Sequence, residues 1–225
     1  MPADRTQGFF HRYADDFDAI YSTRNGWLNR MANRFFRQSM KLRFVKSVEG
    51  CQPVEGKSVL DVGCGPGHYS ITLAQRGAAR VVGLDFAEGM IRLASHHAKE
   101  AGVGGRCEFV AGDFMAYNPT ERFDYVIVMG FMDYMPEPRK VIEKVLSLTS
   151  HRAFFSFPAA GGPLAWQRKW RYRSRCDLFL YTQRQLTELF SSFPKLHTNI
   201  EPIARDFFVT AEVAPIPQAH SPATA

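Results

Sequence analysis

Ser58-Val59-Leu60-Asp61-Val62-Gly63-Cys64-Gly65-Pro66-Gly67 is the stretch on which the reading of this chain turns. Val59, Leu60 and Val62 make a short buried-strand run, the glycines at 63, 65 and 67 permit a tight turn, and a helical segment follows over 68–76. Glycine directly after a strand lets the backbone approach a ligand closely, and the helix behind it offers unpaired N–H groups to an anion. A dinucleotide fingerprint, G-x-G-x-x-G, needs glycine at 68, where this chain has His68. The triplet is instead G-x-G-x-G, with Asp61 two residues ahead of it. That spacing weighs against a nicotinamide dinucleotide.

Outward from this loop the pattern repeats. Strand signals occur at 81–85, 107–110, 123–129 and 152–157, with helical segments at 88–100 and 139–148 between them. Strands alternating with helices predict a parallel sheet covered on both faces, an α/β fold with three αβα layers and right-handed crossovers. Thr182 can cap a helix running to about Phe193, and 200–203 with 207–213 form a terminal strand pair. Ahead of the loop, Phe9, Phe10, Tyr13, Phe17, Ile20 and Tyr21 recur at helical spacing up to Gly26. A second helix starts at Trp27, and Leu28, Met31, Phe35, Leu42 and Val45 share the face expected to bury. Arg30, Arg34, Arg37 and Lys41 fall on another stripe, with no acid between Ser22 and Val48 to neutralise them.

Composition bounds the rest. With 225 residues, 45% hydrophobic and 22% charged, the chain suits one domain with a substantial core, over 1–214, and excludes wholesale disorder. Its parts are N-terminal helices (1–50), a core (55–158), an insertion (159–181) and a tail (215–225) whose three prolines and small apolar content predict disorder. Cys51, Cys64, Cys107 and Cys176 are widely spaced, so neither a disulfide framework nor a structural metal is expected. No run of about 18 apolar residues occurs and residues 1–5 lack a signal-like apolar stretch, which makes a cytoplasmic location the expectation.

Three strand ends carry the chemistry. Asp85, 22 residues after Gly63, stands where a carboxylate accepts hydrogen bonds from a ribose diol. Asp113, followed by Phe114, adds a second acid at the end of the third strand, and Phe123-Asp124 opens the fourth. A glycine loop, a ribose acid and a further acid at successive strand ends form an uncommon constellation for a merely structural sheet.

At these residues the chain resembles the class I S-adenosylmethionine-dependent methyltransferases of small-molecule type. Val59 to Gly67 is similar to their first motif, Gly83-Leu84-Asp85-Phe86-Ala87-Glu88-Gly89-Met90 to their second, and Gly112-Asp113-Phe114 to their third. The resemblance covers roughly 55–158. It implies a seven-stranded sheet of order 3-2-1-4-5-7-6 with the seventh strand antiparallel, and S-adenosyl-L-methionine as cofactor. It further implies that Gly63, Gly65 and Gly67 shape the cofactor loop, that Asp61 orients the ammonium group, and that Asp85 holds the ribose hydroxyls. Phe86 and Met90 would pack around ribose and adenine, Asp113 would accept from the adenine amino group, and the Phe114 backbone would pair with a ring nitrogen. The Met129 carbonyl would help bind the ammonium, and Tyr21 or Tyr13 would close over the carboxylate.

An activated methyl group asks the protein chiefly to align an acceptor and exclude water. A base is optional, and His11, His68, Asp133, Tyr134 and His151 are candidates near the expected strand ends, none singled out. Met129-Gly130-Phe131-Met132-Asp133-Tyr134-Met135-Pro136 lacks the Asn-Pro-Pro-aromatic motif of nucleobase amino methyltransferases and resembles the apolar stretch of small-molecule enzymes. With only Asp133 as an evident hard ligand, no metal is expected. In the insertion, Trp166, Trp170 and Tyr172 interleave with Arg168, Lys169, Arg171, Arg173 and Arg175. This composition favours an acidic or amphiphilic small-molecule acceptor, oxygen or nitrogen, and contact with an anionic membrane surface. The net charge of +6 and a pI near 9.2 leave an RNA or protein methyltransferase as an alternative, beside an NAD-dependent oxidoreductase and a catalytically idle binding protein.

Overall fold

The computed structural model describes residues 27–161, 178–194 and 196–214, with side chains from residue 38 onward. The aromatic stripe with Tyr13 and Tyr21, His11, the Trp- and Arg-rich part of the insertion and the 215–225 tail lie outside the described residues.

In chain order the elements are α1 (Trp27–Gly50), β1 (Ser58–Val62), α2 (His68–Gln75), β2 (Arg80–Asp85), α3 (Glu88–Glu100), β3 (Cys107–Ala111) and β4 (Phe123–Val128). A 3-10 turn (Met132–Tyr134), α4 (Pro138–Leu148), β5 (Thr149–Pro158), α5 (Gln183–Ser191), β6 (Leu196–Ile203) and β7 (Asp206–Val213) complete them. The strands form one seven-stranded sheet, β3-β2-β1-β4-β5-β7-β6. β1 to β5 run parallel, and β7 lies antiparallel between β5 and β6. The order implied by the three motifs is the order observed.

Strands buried on both faces explain why the apolar runs are continuous. On one face Leu60, Val62, Val82, Leu84, Val126 and Val128 pack with Val141, Ile142 and Val145 of α4 and Leu186 and Phe190 of α5. On the other, Val59, Val81, Tyr125, Ile127 and Phe154 meet Val48 of α1, Leu73 and Ala74 of α2, and Ala98 of α3. Thr182 caps α5 as expected, accepting from the Gln185 N–H while the Gln185 side chain reaches back. β6 begins at Leu196 rather than at residue 200, since Leu196 to Asn199 pair with Val213 to Thr210. Leu196-His197-Thr198-Asn199 is a half-exposed edge with too little apolar character to announce a strand.

α1 corrects one expectation. Val45 is 36% exposed and Leu42 only half-buried, whereas Ser39, Arg43, Ser47 and Val48 turn inward. The inward face is polar because its partners are polar. Arg43 donates to Asp206, with Nη2 at 2.6 Å and Nε at 3.1 Å from Oδ2, and Ser39 Oγ accepts from the Arg205 N–H at 3.1 Å. Leu28, Met31 and Phe35 of the same expected face, and Arg30, Arg34 and Arg37 of the basic stripe, have side chains outside the described residues.

Candidate functional site

Parallel strands end together, so the carboxyl ends of β1, β2, β3 and β4 share one edge of the sheet, the edge where open α/β sheets bind ligands. The glycine loop leaves β1 there. Its first N–H groups, Gly63 and Cys64, both donate to the Leu84 carbonyl, at 2.8 and 3.0 Å, which pins the loop to the end of β2. Gly63, Gly65 and Gly67 have φ of +72°, +52° and +83°, a left-handed run that side chains resist. Their surroundings differ. A Cβ on Gly67 would stand 3.1 Å from the Ala94 Cβ and 3.2 Å from the Phe109 ring, so this glycine allows α2 and α3 to pack closely. A Cβ on Gly65 would meet nothing within 4 Å, so the loop presents an open face.

Asp85 closes this loop from the β2 side. One carboxylate oxygen accepts from the Gly65 N–H at 3.0 Å and the other from the Ala87 N–H at 2.9 Å. These two N–H groups fix the orientation of the carboxylate. A carboxylate held in this way beside an open glycine backbone suits a diol-bearing nucleoside. Phe86 is half-buried next to it, and Met90, on the first turn of α3, is buried behind. At the end of β3, Asp113 accepts from the Met115 N–H at 2.9 Å and is exposed, while Phe114 tucks its ring into the core.

Asp61 lies beneath the loop, 1% exposed, accepting a 2.7 Å hydrogen bond from the Ser70 hydroxyl of α2. Burial pushes its carboxyl up to about 7, Ser70 works against that rise, and the negative charge of Asp85 adds to it. Met129, buried, follows directly after β4, and the next N–H, of Gly130, donates to the buried Ser156 hydroxyl at 2.8 Å. Asp133 sits in the 3-10 turn just beyond, 3% exposed, and its carbonyl accepts from the Phe179 N–H at 2.9 Å. Tyr181 is close by, its phenol pushed up to about 12 by burial and by the Asp133 charge.

Two residues noted from the sequence lie elsewhere. His151 stands near the start of β5 against Tyr125, with ring centroids 5.5 Å apart. Phe157 at the ligand edge is six positions further along the strand, about 20 Å at 3.3 Å per residue, so His151 is not a candidate base. Asp124 likewise sits at the opposite edge. It accepts from the Ser58 N–H, the Ser58 hydroxyl and Lys57, tying the starts of β1 and β4 together. His68 is exposed on the first turn of α2, and Tyr134 is half-buried in the 3-10 turn. Sequence reasoning missed Ser70, Ser156, Arg43 and Asp206. For Arg43 there was a signal: a helix without acids near it must satisfy an inward arginine through a residue distant in sequence. Among the described residues no group of three metal-ligating side chains converges, and no helix is long and apolar enough to cross a membrane.

Sheet order, glycine loop and acidic strand ends together define a class I methyltransferase fold. Residues 53–160 match the model of a family described as a methyltransferase domain. The chain is 34% identical over 111 residues to a ubiquinone biosynthesis O-methyltransferase of Ralstonia nicotianae, a match spanning 48% of this chain and 46% of that protein. To the ubiquinone biosynthesis O-methyltransferase of Pseudomonas entomophila it is 39% identical over 87 residues, 39% of this chain and 37% of the other. The chain thus spans less than half the length of the curated relatives it matches. Among solved structures, magnesium protoporphyrin IX methyltransferase from Synechocystis PCC 6803 with bound SAH superposes with a TM-score of 0.70 at 20% identity, covering 92% of this chain and 100% of that one. An O-methyltransferase family 2 protein from Planctomyces limnophilus in complex with apigenin gives 0.61 at 20% identity, covering 80% and 61%.

Proposed function

We propose that the protein is an S-adenosylmethionine-dependent methyltransferase that transfers a methyl group to a small-molecule acceptor, at oxygen in preference to nitrogen. The observation that carries this reading is the Asp85 carboxylate, fixed by the Gly65 and Ala87 N–H groups beside the open face of Gly65. The relatives named as O-methyltransferases support oxygen. When bound, the cofactor supplies an electrophilic methyl group on sulfur.

The chain's own residues do the rest. Gly63, Gly65 and Gly67 give the backbone room to approach, Asp85 accepts from the ribose hydroxyls, and Phe86 and Met90 wall the ribose and adenine. Asp113 and the Phe114 backbone read the adenine edge. Asp61 and the Met129 carbonyl attract the ammonium group, while the Arg43 guanidinium, with Nη1 3.4 Å from where a Gly130 Cβ would stand, brings positive charge for the carboxylate. Acceptor alignment falls to the segment between Ala160 and Phe179, whose Trp166, Trp170, Arg168, Arg171 and Arg173 favour an acidic or amphiphilic molecule drawn from an anionic membrane surface.

Titration calorimetry tests the cofactor reading. The parent protein is expected to bind S-adenosylmethionine at low-micromolar Kd, roughly −8 kcal/mol. Asp85→Ala is expected to weaken that on the order of 10- to 100-fold, the loss of a charged acceptor worth about 1.5–3 kcal/mol. Tight NAD binding, or an unchanged Kd in the variant, would overturn it. Methyl transfer is expected to proceed in excess EDTA, and activity restored only by magnesium would contradict that. Replacing Arg168, Arg171 and Arg173 by glutamine is expected to raise the acceptor KM and to abolish salt-sensitive binding to anionic vesicles while sparing cofactor affinity. Unaltered acceptor kinetics and vesicle binding would remove the acceptor proposal alone.

A further inference from the structure

Beyond the residues assigned so far, one aromatic side chain occupies the junction of three strand ends. The backbone turns at Gly130, where φ is +69° and the N–H is held by the Ser156 hydroxyl at 2.8 Å, and this turn aims Phe131 back across the ends of β1 and β4. The Phe131 ring lies against the glycine loop, with Cδ2 3.1 Å from where a Cβ on Gly63 would stand. It also meets the Phe114 ring edge to face, centroids 6.0 Å apart and planes at 85°. The ring is half-buried, part of the core on one side and accessible on the other.

Those two contacts fix where the ring stands relative to a bound cofactor. Under the reading above, Gly63 borders the methionine part and the Phe114 backbone borders the adenine, while the Phe114 ring anchors Phe131 from the core side. The sulfur is the atom through which methionine and adenosine are joined, and a ring set between Gly63 and Phe114 stands on the stretch of the loop that the sulfur would face. The cofactor carries a positive charge there and its demethylated product carries none. An aromatic face attracts a cation through its quadrupole and has no such preference for a neutral thioether.

We propose that Phe131 is a specificity-determining residue of the cofactor site, its ring facing the sulfonium and favouring the cationic cofactor over its neutral product. This rests on the cofactor reading given above. Loss of the attraction after transfer lowers product affinity relative to cofactor and so limits product inhibition.

The test is calorimetric titration of S-adenosylmethionine and S-adenosylhomocysteine into the parent, Phe131→Leu, Phe131→Tyr and a protein with 3,4,5-trifluorophenylalanine at position 131. The last keeps the shape of the ring and removes its negative face, so it reports even if the leucine variant fails to fold. The leucine and fluorinated proteins are expected to bind the cofactor about 3- to 30-fold more weakly, with the product changed less than about 2-fold, and the tyrosine variant is expected to keep the parent's ratio. Equal weakening of both ligands, or an unchanged ratio in the fluorinated protein, overturns the inference while leaving the cofactor reading intact. A parent that binds neither ligand removes both.

Discussion

Alanine in place of Asp206 is expected to lower the unfolding free energy by about 3–5 kcal/mol, since removing one partner of a buried ion pair strands the other charge. The stranded group is Arg43, whose side chain is 11% exposed and whose guanidinium sits 2.6 Å from a carboxylate that is 1% exposed. For a domain of this size each kcal/mol moves Tm by about 2–4 °C, so the transition is expected to fall by roughly 10 °C. The double replacement Arg43→Met with Asp206→Leu removes both charges and is expected to recover most of the stability. It is not expected to recover cofactor affinity, because the positive charge beside Gly130 is gone. A loss under 1 kcal/mol in Asp206→Ala would show that the pair does not tie α1 to β7.

Asn in place of Asp61 is expected to act in opposite directions on stability and on binding. The folded carboxyl titrates at about 7 against an ordinary value of 3.8, so the fold favours the protonated form. Stability from this group is therefore complete below the unfolded value and is lost as pH rises toward 7 and beyond, the reverse of a salt-bridged aspartate. A rise of about three pH units corresponds to at most about 4 kcal/mol. The cofactor-free parent is expected to become less stable between pH 5 and pH 8, whereas Asp61→Asn is expected to hold its stability and to exceed the parent at pH 8. The same variant is expected to bind the cofactor on the order of 10- to 100-fold more weakly, having lost an ionised acceptor for the ammonium group. Urea titrations at the two pH values, with calorimetry at pH 8, decide both halves. A parent whose stability does not fall over this range would sink the linkage.

How much of this was legible in the sequence depended on how local each signal was. Strand, glycine loop and helix are adjacent at 58–75, and acids at the ends of β2 and β3 sit a fixed distance from the next helix, so fold and ligand edge could be read together. The inward face of α1 could not. Its orientation is set by Asp206, 163 residues away, and a serine or arginine that finds a polar partner across the sheet looks in one dimension like any solvated residue. His151 was weighed as a base although it stands just ahead of the strand expected at 152–157, and the strands of a parallel sheet all start at the edge opposite the ligand, where Asp124 also sits. Ser70 and Ser156 went unnoticed because a hydroxyl signals nothing until its acceptor or donor is known.

The antiparallel strand β7 has a consequence for the birth of the protein. β5 carries Ala153-Phe154-Phe155-Ser156-Phe157, an apolar run without charge or proline, and in the finished sheet β7 pairs with it from Arg152↔Glu212 to Pro158↔Asp206. During synthesis β5 emerges about fifty residues before its partner and must wait as an open edge, the condition under which such segments recruit one another. A nascent chain halted before residue 206 is therefore the form most in need of a chaperone.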